Sequence, residues 1–265
     1  QGRQYPVDIR YGAPATLGRP NDAEVVQTVL RALDEESGSV LVFLPGMAEI
    51  CRVLARLEEA LGEQQNVLLT PLYGDLNLAA QRRAIEPVPA GQRKIVLATA
   101  IAETSLTIEG IRVVVDAGLS REAAFDPLSG MSALQTRRVS RAAAEQRAGR
   151  AGRLEPGVCY RLWSAQQHEQ LAAQRDAEIL QADLAPLALQ LAQWGVQQPD
   201  ELVWLDPPPT AALDQGRELL ERLGALQRDG ANWQLTEHGR VLAGLPMHPR
   251  LAHMLVEGQR LGLAK

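Results

Sequence analysis

Three arginines recur at every third position in Gln146–Arg153, which reads Q-R-A-G-R-A-G-R. On a helix, Arg147, Arg150 and Arg153 project from overlapping faces, where like charges repel by about 0.2–0.5 kcal/mol per pair. Gly149 and Gly152 each add about 1 kcal/mol relative to alanine in a helix interior. A bound anion offsets both penalties, because a guanidinium takes phosphate bidentately and keeps its charge at neutral pH. The chemistry indicated is electrostatic: holding and neutralising a phosphate. The bland alternative is a solvated basic face in an arginine-rich chain.

A second cluster, Thr99-Ala100-Ile101-Ala102-Glu103-Thr104-Ser105-Leu106-Thr107-Ile108, carries four hydroxyl side chains. In a strand-to-helix loop such hydroxyls and the backbone N–H groups can meet phosphate oxygens. Alone, the run is equally compatible with helix capping. Charge placement supports the first reading. The chain carries a net charge of −5, yet seven arginines face two glutamates between Arg137 and Arg161. An acidic chain with one basic strip suggests a directed phosphate site rather than general affinity for nucleic acid. The only lysines are Lys94 and Lys265, which fits a G+C-rich codon usage that favours arginine.

Other chemistries find no support in the residues. Cys51 and Cys159 are far apart in segments that read as apolar and buried, without metal spacing or a disulfide framework, as in a reducing cytosol. The four histidines are scattered, and His238, His248 and His253 read as surface or capping residues. No apolar run approaches the ~20 residues of a membrane span, so no membrane partner is expected, and no signal-peptide pattern opens the chain. The first residues read as the interior of a longer protein. No G-x-x-x-x-G-K-[ST] loop and no D-E-A-H box is present. Asp34-Glu35-Glu36-Ser37 is a decoy that closes a helix, whereas magnesium-binding carboxylates should end a strand.

The elements that must hold these clusters alternate. Helices are expected at 22–33, 47–61 and 78–85, and strands at 39–44, 66–72, 94–98, 112–116 and 158–163. Such alternation argues for a parallel sheet covered on both faces, with ligands at the carboxyl ends of its strands. Residues 119–139 form two arms about Asp126-Pro127-Leu128-Ser129-Gly130, a hairpin signature. Beyond Ser164 the pattern is mostly helical, at 182–194 and 210–223 around the rigid Asp206-Pro207-Pro208-Pro209, then a small hairpin about Asp229-Gly230. Helix, helix and β-wing in that order suggest a winged helix, and a new helix begins at Pro249.

The two clusters together resemble motifs V and VI of the DEAH-box group of superfamily-two helicases. Further landmarks follow in that group's order: Leu41-Val42-Phe43-Leu44-Pro45-Gly46, Pro71-Leu72-Tyr73-Gly74, Glu86-Pro87, Val115-Asp116-Ala117-Gly118 and Gly157-Val158-Cys159-Tyr160-Arg161-Leu162. The likeness extends over most of the chain and is nearest to the bacterial HrpB-type members. It implies an α/β fold: a RecA-like parallel sheet with a protruding β-hairpin, followed by a mostly helical winged-helix domain. The implied divisions are a connecting segment from a missing first lobe (1–20), the second RecA-like lobe (21–163), the winged helix (164–243) and the start of a truncated helical domain (244–265).

The resemblance further implies a cytoplasmic, ATP-dependent RNA helicase whose nucleotide, ATP or another NTP with Mg2+, lies between this lobe and the missing N-terminal lobe, which holds the metal. Arg150 and Arg153 match arginine fingers and Gln146 a residue that places the attacking water, while Arg147 reads as structural or ion-pairing. Ile85, Ser105, Thr107 and Glu109 match nucleotide-side positions. Gly74, Thr99 and Ala100 match positions facing single-stranded RNA, and the 119–137 hairpin matches an element at the 5′ side of the RNA stack. Three departures stand out. Ala100 replaces an asparagine, Glu109 replaces an aspartate, and Ile85 replaces an aromatic that stacks on the base, so discrimination among nucleoside triphosphates should be weak. The isolated 265 residues, lacking the phosphate-cradling loop, should not hydrolyse ATP. The competing readings are a non-catalytic nucleic-acid-binding module and a helicase acting on DNA.

Overall fold

The computed structural model describes residues 5–15, 21–62, 66–103, 107–126, 129–230 and 232–263. The chain divides into two compact units, Gln1–Glu122 with Leu134–Arg175, and Ala123–Ala133 with Asp176–Lys265.

The first unit runs β1 (Val7–Tyr11), α1 (Asp22–Glu35), β2 (Ser39–Phe43), α2 (Met47–Leu61), β3 (Val67–Leu72), α3 (Leu78–Ile85), β4 (Arg93–Ala98) and β5 (Ile111–Asp116). The hairpin arms β6 (Leu119–Asp126) and β7 (Met131–Arg138) follow, then α4 (Arg141–Ala148), β8 (Gly157–Arg161) and α5 (Ala165–Glu169). Six strands pair in the order β1-β8-β5-β2-β4-β3, all parallel. The expected mixed α/β architecture is thus the one observed.

The strand β2 shows why the sheet is buried on both faces. Val40 and Val42 pack with Val25, Val29, Ile50 and Val53 of α1 and α2. Leu41 and Phe43 point the other way, into a core shared with Ala84 of α3 and Ala148 of α4. Alternate residues serve opposite faces, so a doubly covered strand must be apolar throughout. Side-chain caps set the helix starts: Asn21, Asn77 and Ser140 each accept a backbone N–H in the first turn of α1, α3 and α4.

Two differences from the sequence reading have physical causes. Residues expected to be only a connecting segment include β1, an edge strand paired with β8. Its alternation places Val7 and Ile9 against the core, but flanking prolines and glycines mask so short a signal. Cys51, read as buried, is exposed on α2, whereas Cys159 on β8 is buried.

Gly157 opens β8 where a Cβ would stand 2.6 Å from the Arg112 carbonyl oxygen and closer still to that of Ala151. Both obstacles are backbone and cannot swing aside. Gly157→Ala should therefore destabilise the unit by about 1–3 kcal/mol, the usual penalty of overpacking, measured by urea unfolding.

The second unit contains α6 (Ala185–Gln193), α7 (Thr210–Arg222), the antiparallel pair β9 (Leu226–Asp229) and β10 (Asn232–Leu235), then α8 (Glu237–Ala243) and α9 (Pro249–Arg260). Leu189, Leu213, Leu220, Leu226 and Leu242 form its core. The tip of the β6–β7 hairpin belongs to this unit: Phe125 N–H donates to the Gln181 carbonyl at 3.2 Å. His248 caps α9, accepting from Arg250 N–H, and His238 bonds His253 at 2.9 Å.

Candidate functional site

The arginine octapeptide is not a single helix. The helix α4 stops at Ala148, and Arg150–Arg153 continue as turns. Neither Gly149 nor Gly152 lies in a helix interior, so the helix penalty expected for them does not arise. Gly152 answers a need for space instead, since a Cβ there would fall 2.5 Å from the Tyr5 carbonyl oxygen.

The three arginines then diverge. Arg147 is wholly buried, with Nη1 donating to Asp116 Oδ1 at 2.8 Å and Nε to Glu103 Oε1 at 2.7 Å. Its guanidinium also lies 4.9 Å from the centre of the Phe43 ring. Burial alone would lower its pKa, but the Asp116 and Glu103 carboxylates outweigh burial and raise it. This is an internal tie from α4 to β5, the structural role read for Arg147.

Arg150 is nearly as buried, yet its Nε donates to the backbone carbonyl of Glu103 at 3.0 Å. Burial, and then repulsion from Arg153, push its pKa down to about 10, against the attraction of the Glu103 carboxylate. It stays protonated at neutral pH, but in surroundings that disfavour its charge. Arg153 is half-exposed and donates from Nη1 to Thr107 Oγ1 at 2.7 Å. Two like charges held close, one of them desolvated, form a place where an added anion is favoured by both.

Around this pair the structure gathers some predicted residues and leaves others apart. Thr107 joins Arg153 directly. Ile85 ends α3, half-buried, and exposed Glu109 precedes β5. The buried Lys94 lies beside the first of these: its Nζ bonds the carbonyls of Ala84 and Glu86, and burial lowers its pKa against the attraction of the Glu86 and Glu109 carboxylates. Ile108, Ala84, Ala148 and Ala151 share one core, so all these residues belong to the α3–α4 side of the sheet. Gln146 is exposed on the last turn of α4. Ser105 lies outside the described residues.

Gly74, Thr99 and Ala100 form a separate group at the carboxyl ends of β3 and β4. Thr99 N–H donates to the Leu72 carbonyl at 3.2 Å, tying the two loops together. Thr99 is half-buried, while Ala100 and Gly74 are exposed, and a Cβ on Gly74 would meet nothing within 4 Å. The general rule for parallel sheets places ligands at this edge. This group obeys it.

Sequence reasoning missed two residues. Lys94 carried no signal beyond its rarity. Arg121, exposed at the start of the hairpin, covers Gly46 at the carboxyl end of β2, where a Cβ would fall 2.6 Å from its Nη1. Its Nη2 pairs with Glu49 Oε2 at 3.3 Å, and only the tertiary path of β6 brings it there. Among the described residues no cluster of three or more His, Cys, Asp or Glu side chains is arranged to hold a metal ion. No helix there is long and apolar enough to cross a membrane.

The family described as helicase conserved C-terminal domain matches residues 23–155. The ATP-dependent RNA helicase HrpB of Escherichia coli strain K12 is 50% identical over 259 residues, 98% of this chain and 31% of that protein. The pre-mRNA-splicing factor ATP-dependent RNA helicase prp22 of Schizosaccharomyces pombe is 38% identical over 270 residues, 100% of this chain and 23% of that protein. A crystal structure of the Escherichia coli DEAH/RHA helicase HrpB superposes with a TM-score of 0.88 at 50% identity, covering 97% of this chain and 32% of that one. The chain therefore spans about a third or less of the length of these curated relatives. With its parallel sheet, its arginine turn and these similarities, this chain belongs to the helicase conserved C-terminal domain family.

Proposed function

We propose that this chain is the carboxyl-side, RecA-like lobe of a cytoplasmic ATP-dependent RNA helicase, followed by a winged-helix domain. The observation that carries the reading is the Arg150–Arg153 pair: two guanidiniums held together at one face, the inner one desolvated and donating to the Glu103 carbonyl. The γ-phosphate of a nucleotide suits such a pair of cations.

A bound nucleoside triphosphate with Mg2+, the metal held by the preceding lobe, supplies the phosphoanhydride to be broken. Arg150 and Arg153 neutralise charge on the transferring phosphoryl group, which is what such a reaction chiefly needs. Gln146 orients the attacking water. Thr107 holds the Arg153 guanidinium in place, Glu109 meets the ribose, Ile85 packs on the base, and Ser105 is a further nucleotide contact. Gly74, Thr99 and Ala100 track the backbone of single-stranded RNA, so binding is sequence-tolerant and weakens with salt.

Loss of turnover with RNA binding retained, on substitution of Arg150 and Arg153 in the full-length protein, supports a motor. Unchanged turnover would leave a non-catalytic binding module. The base contact has its own test. Isoleucine offers bulk but no π-face, so the full-length enzyme should turn over ATP, GTP and CTP at comparable rates. Ile85→Phe should then favour purines by about two- to tenfold, the worth of one aromatic stack. Strict ATP preference in the wild type would remove Ile85 from the base site.

A further inference from the structure

Lys94 is fully buried on β4, in a chain whose other positive side chains, Lys265 apart, are arginines and histidines. Its Nζ donates to the Ala84 carbonyl at 2.7 Å and to the Glu86 carbonyl at 2.6 Å. Those two carbonyls bracket Ile85. A helix ends with carbonyls that have no partner within it, and here one side chain from a neighbouring strand takes two at the end of α3. The residue type suits the task. An ammonium is a compact charge whose three donors rotate to serve both acceptors, whereas a guanidinium presents a fixed planar fork.

The grip has a direction. The helix α3 is short and its outer residues are exposed; besides Lys94, buried Ala84 and the bond from Glu86 N–H to the Arg82 carbonyl hold the backbone that carries Ile85.

We infer that Lys94 is a positioning residue for the base end of the nucleotide site: by capping the carbonyls on either side of Ile85, it sets where the base is received. It touches no ligand. The phosphate end, held by Arg150 and Arg153, does not depend on it. This inference rests on the nucleotide reading of Ile85.

The test compares competitive inhibition of NTP turnover by ADP and by pyrophosphate in the full-length enzyme. Lys94→Met keeps the apolar stem and removes both donors. It should weaken ADP by about fivefold, the worth of roughly one net hydrogen bond, and leave pyrophosphate within about twofold. Equal weakening of both inhibitors, as general loosening of the lobe produces, overturns the proposal, and so does an unchanged ADP constant. Lys94→Gln retains one donor and serves if the Met variant does not fold; the same selective loss, smaller in size, is expected. Ile85→Ala separates the two levels of argument. If it leaves ADP binding unchanged, the nucleotide reading fails. If it weakens ADP while the Lys94 variants do not, only the role of Lys94 fails.

Discussion

Replacing Arg150 by alanine in the full-length protein is expected to slow RNA-stimulated NTP turnover by about 10³-fold or more, the magnitude typical of an arginine that stabilises phosphoryl transfer. RNA affinity should be retained, because the residues assigned to RNA are Thr99, Ala100 and Gly74, at the carboxyl ends of β3 and β4, and not Arg150. Stability should change little. Arg150 is desolvated and repelled by Arg153, so its charge does not favour the folded state, and removing it relieves as well as loosens. Arg150→Lys should rescue poorly, since an ammonium cannot reproduce a planar fork. Arg153→Ala should act in the same direction and also release Thr107. Steady-state turnover, RNA binding by fluorescence anisotropy and thermal melting, measured on one set of variants, decide the matter. Near-normal turnover in the Arg150→Ala protein would end the motor interpretation of this face.

Arg147→Ala should do the reverse, unfolding the protein without a specific chemical defect. Asp116 is as buried as Arg147 itself, and its Oδ1 accepts from both Arg147 and Gly118 N–H. Removing the guanidinium strands that carboxylate, and loss of one partner of a buried pair typically costs about 3–5 kcal/mol. Against a total domain stability of roughly 5–15 kcal/mol, such a loss is severe. Chemical denaturation should show it directly, and any fall in turnover should follow the folded fraction. A change below about 1 kcal/mol, the scale of an exposed ion pair, would mean that the α4–β5 tie is dispensable. Two arginines three residues apart in one motif therefore should fail in opposite ways.

That contrast marks the boundary between what the residues state and what the fold adds. Hydrophobic spacing gave most of the sheet and its helices: Met47–Leu61 and Leu78–Ile85 occur with the expected bounds, and β2 is buried on both faces as its unbroken apolar run requires. Local periodicity is enough for this, because each residue's face is fixed by its neighbours along the chain. The strand β1 escaped, since five alternating residues between prolines and glycines carry little periodic signal and its partner β8 lies some 150 residues away.

The motif strings located the chemistry but not its division among like residues. Arg147, Arg150 and Arg153 are chemically identical and equally spaced, and composition offers no means of ranking them. Only the assembled lobe brings Asp116 of β5 and Glu103 to Arg147, leaves a backbone carbonyl for Arg150, and sets Thr107 beside Arg153. Lys94 under Ile85 and Arg121 over Gly46 follow the same rule. By itself the sequence determined the element order, the doubly covered sheet and the segment proposed to meet phosphate. The tertiary structure decided which arginine meets carboxylates inside and which meets a carbonyl or a hydroxyl, because a guanidinium's environment is set by groups that only strand pairing and helix packing bring within a few ångströms.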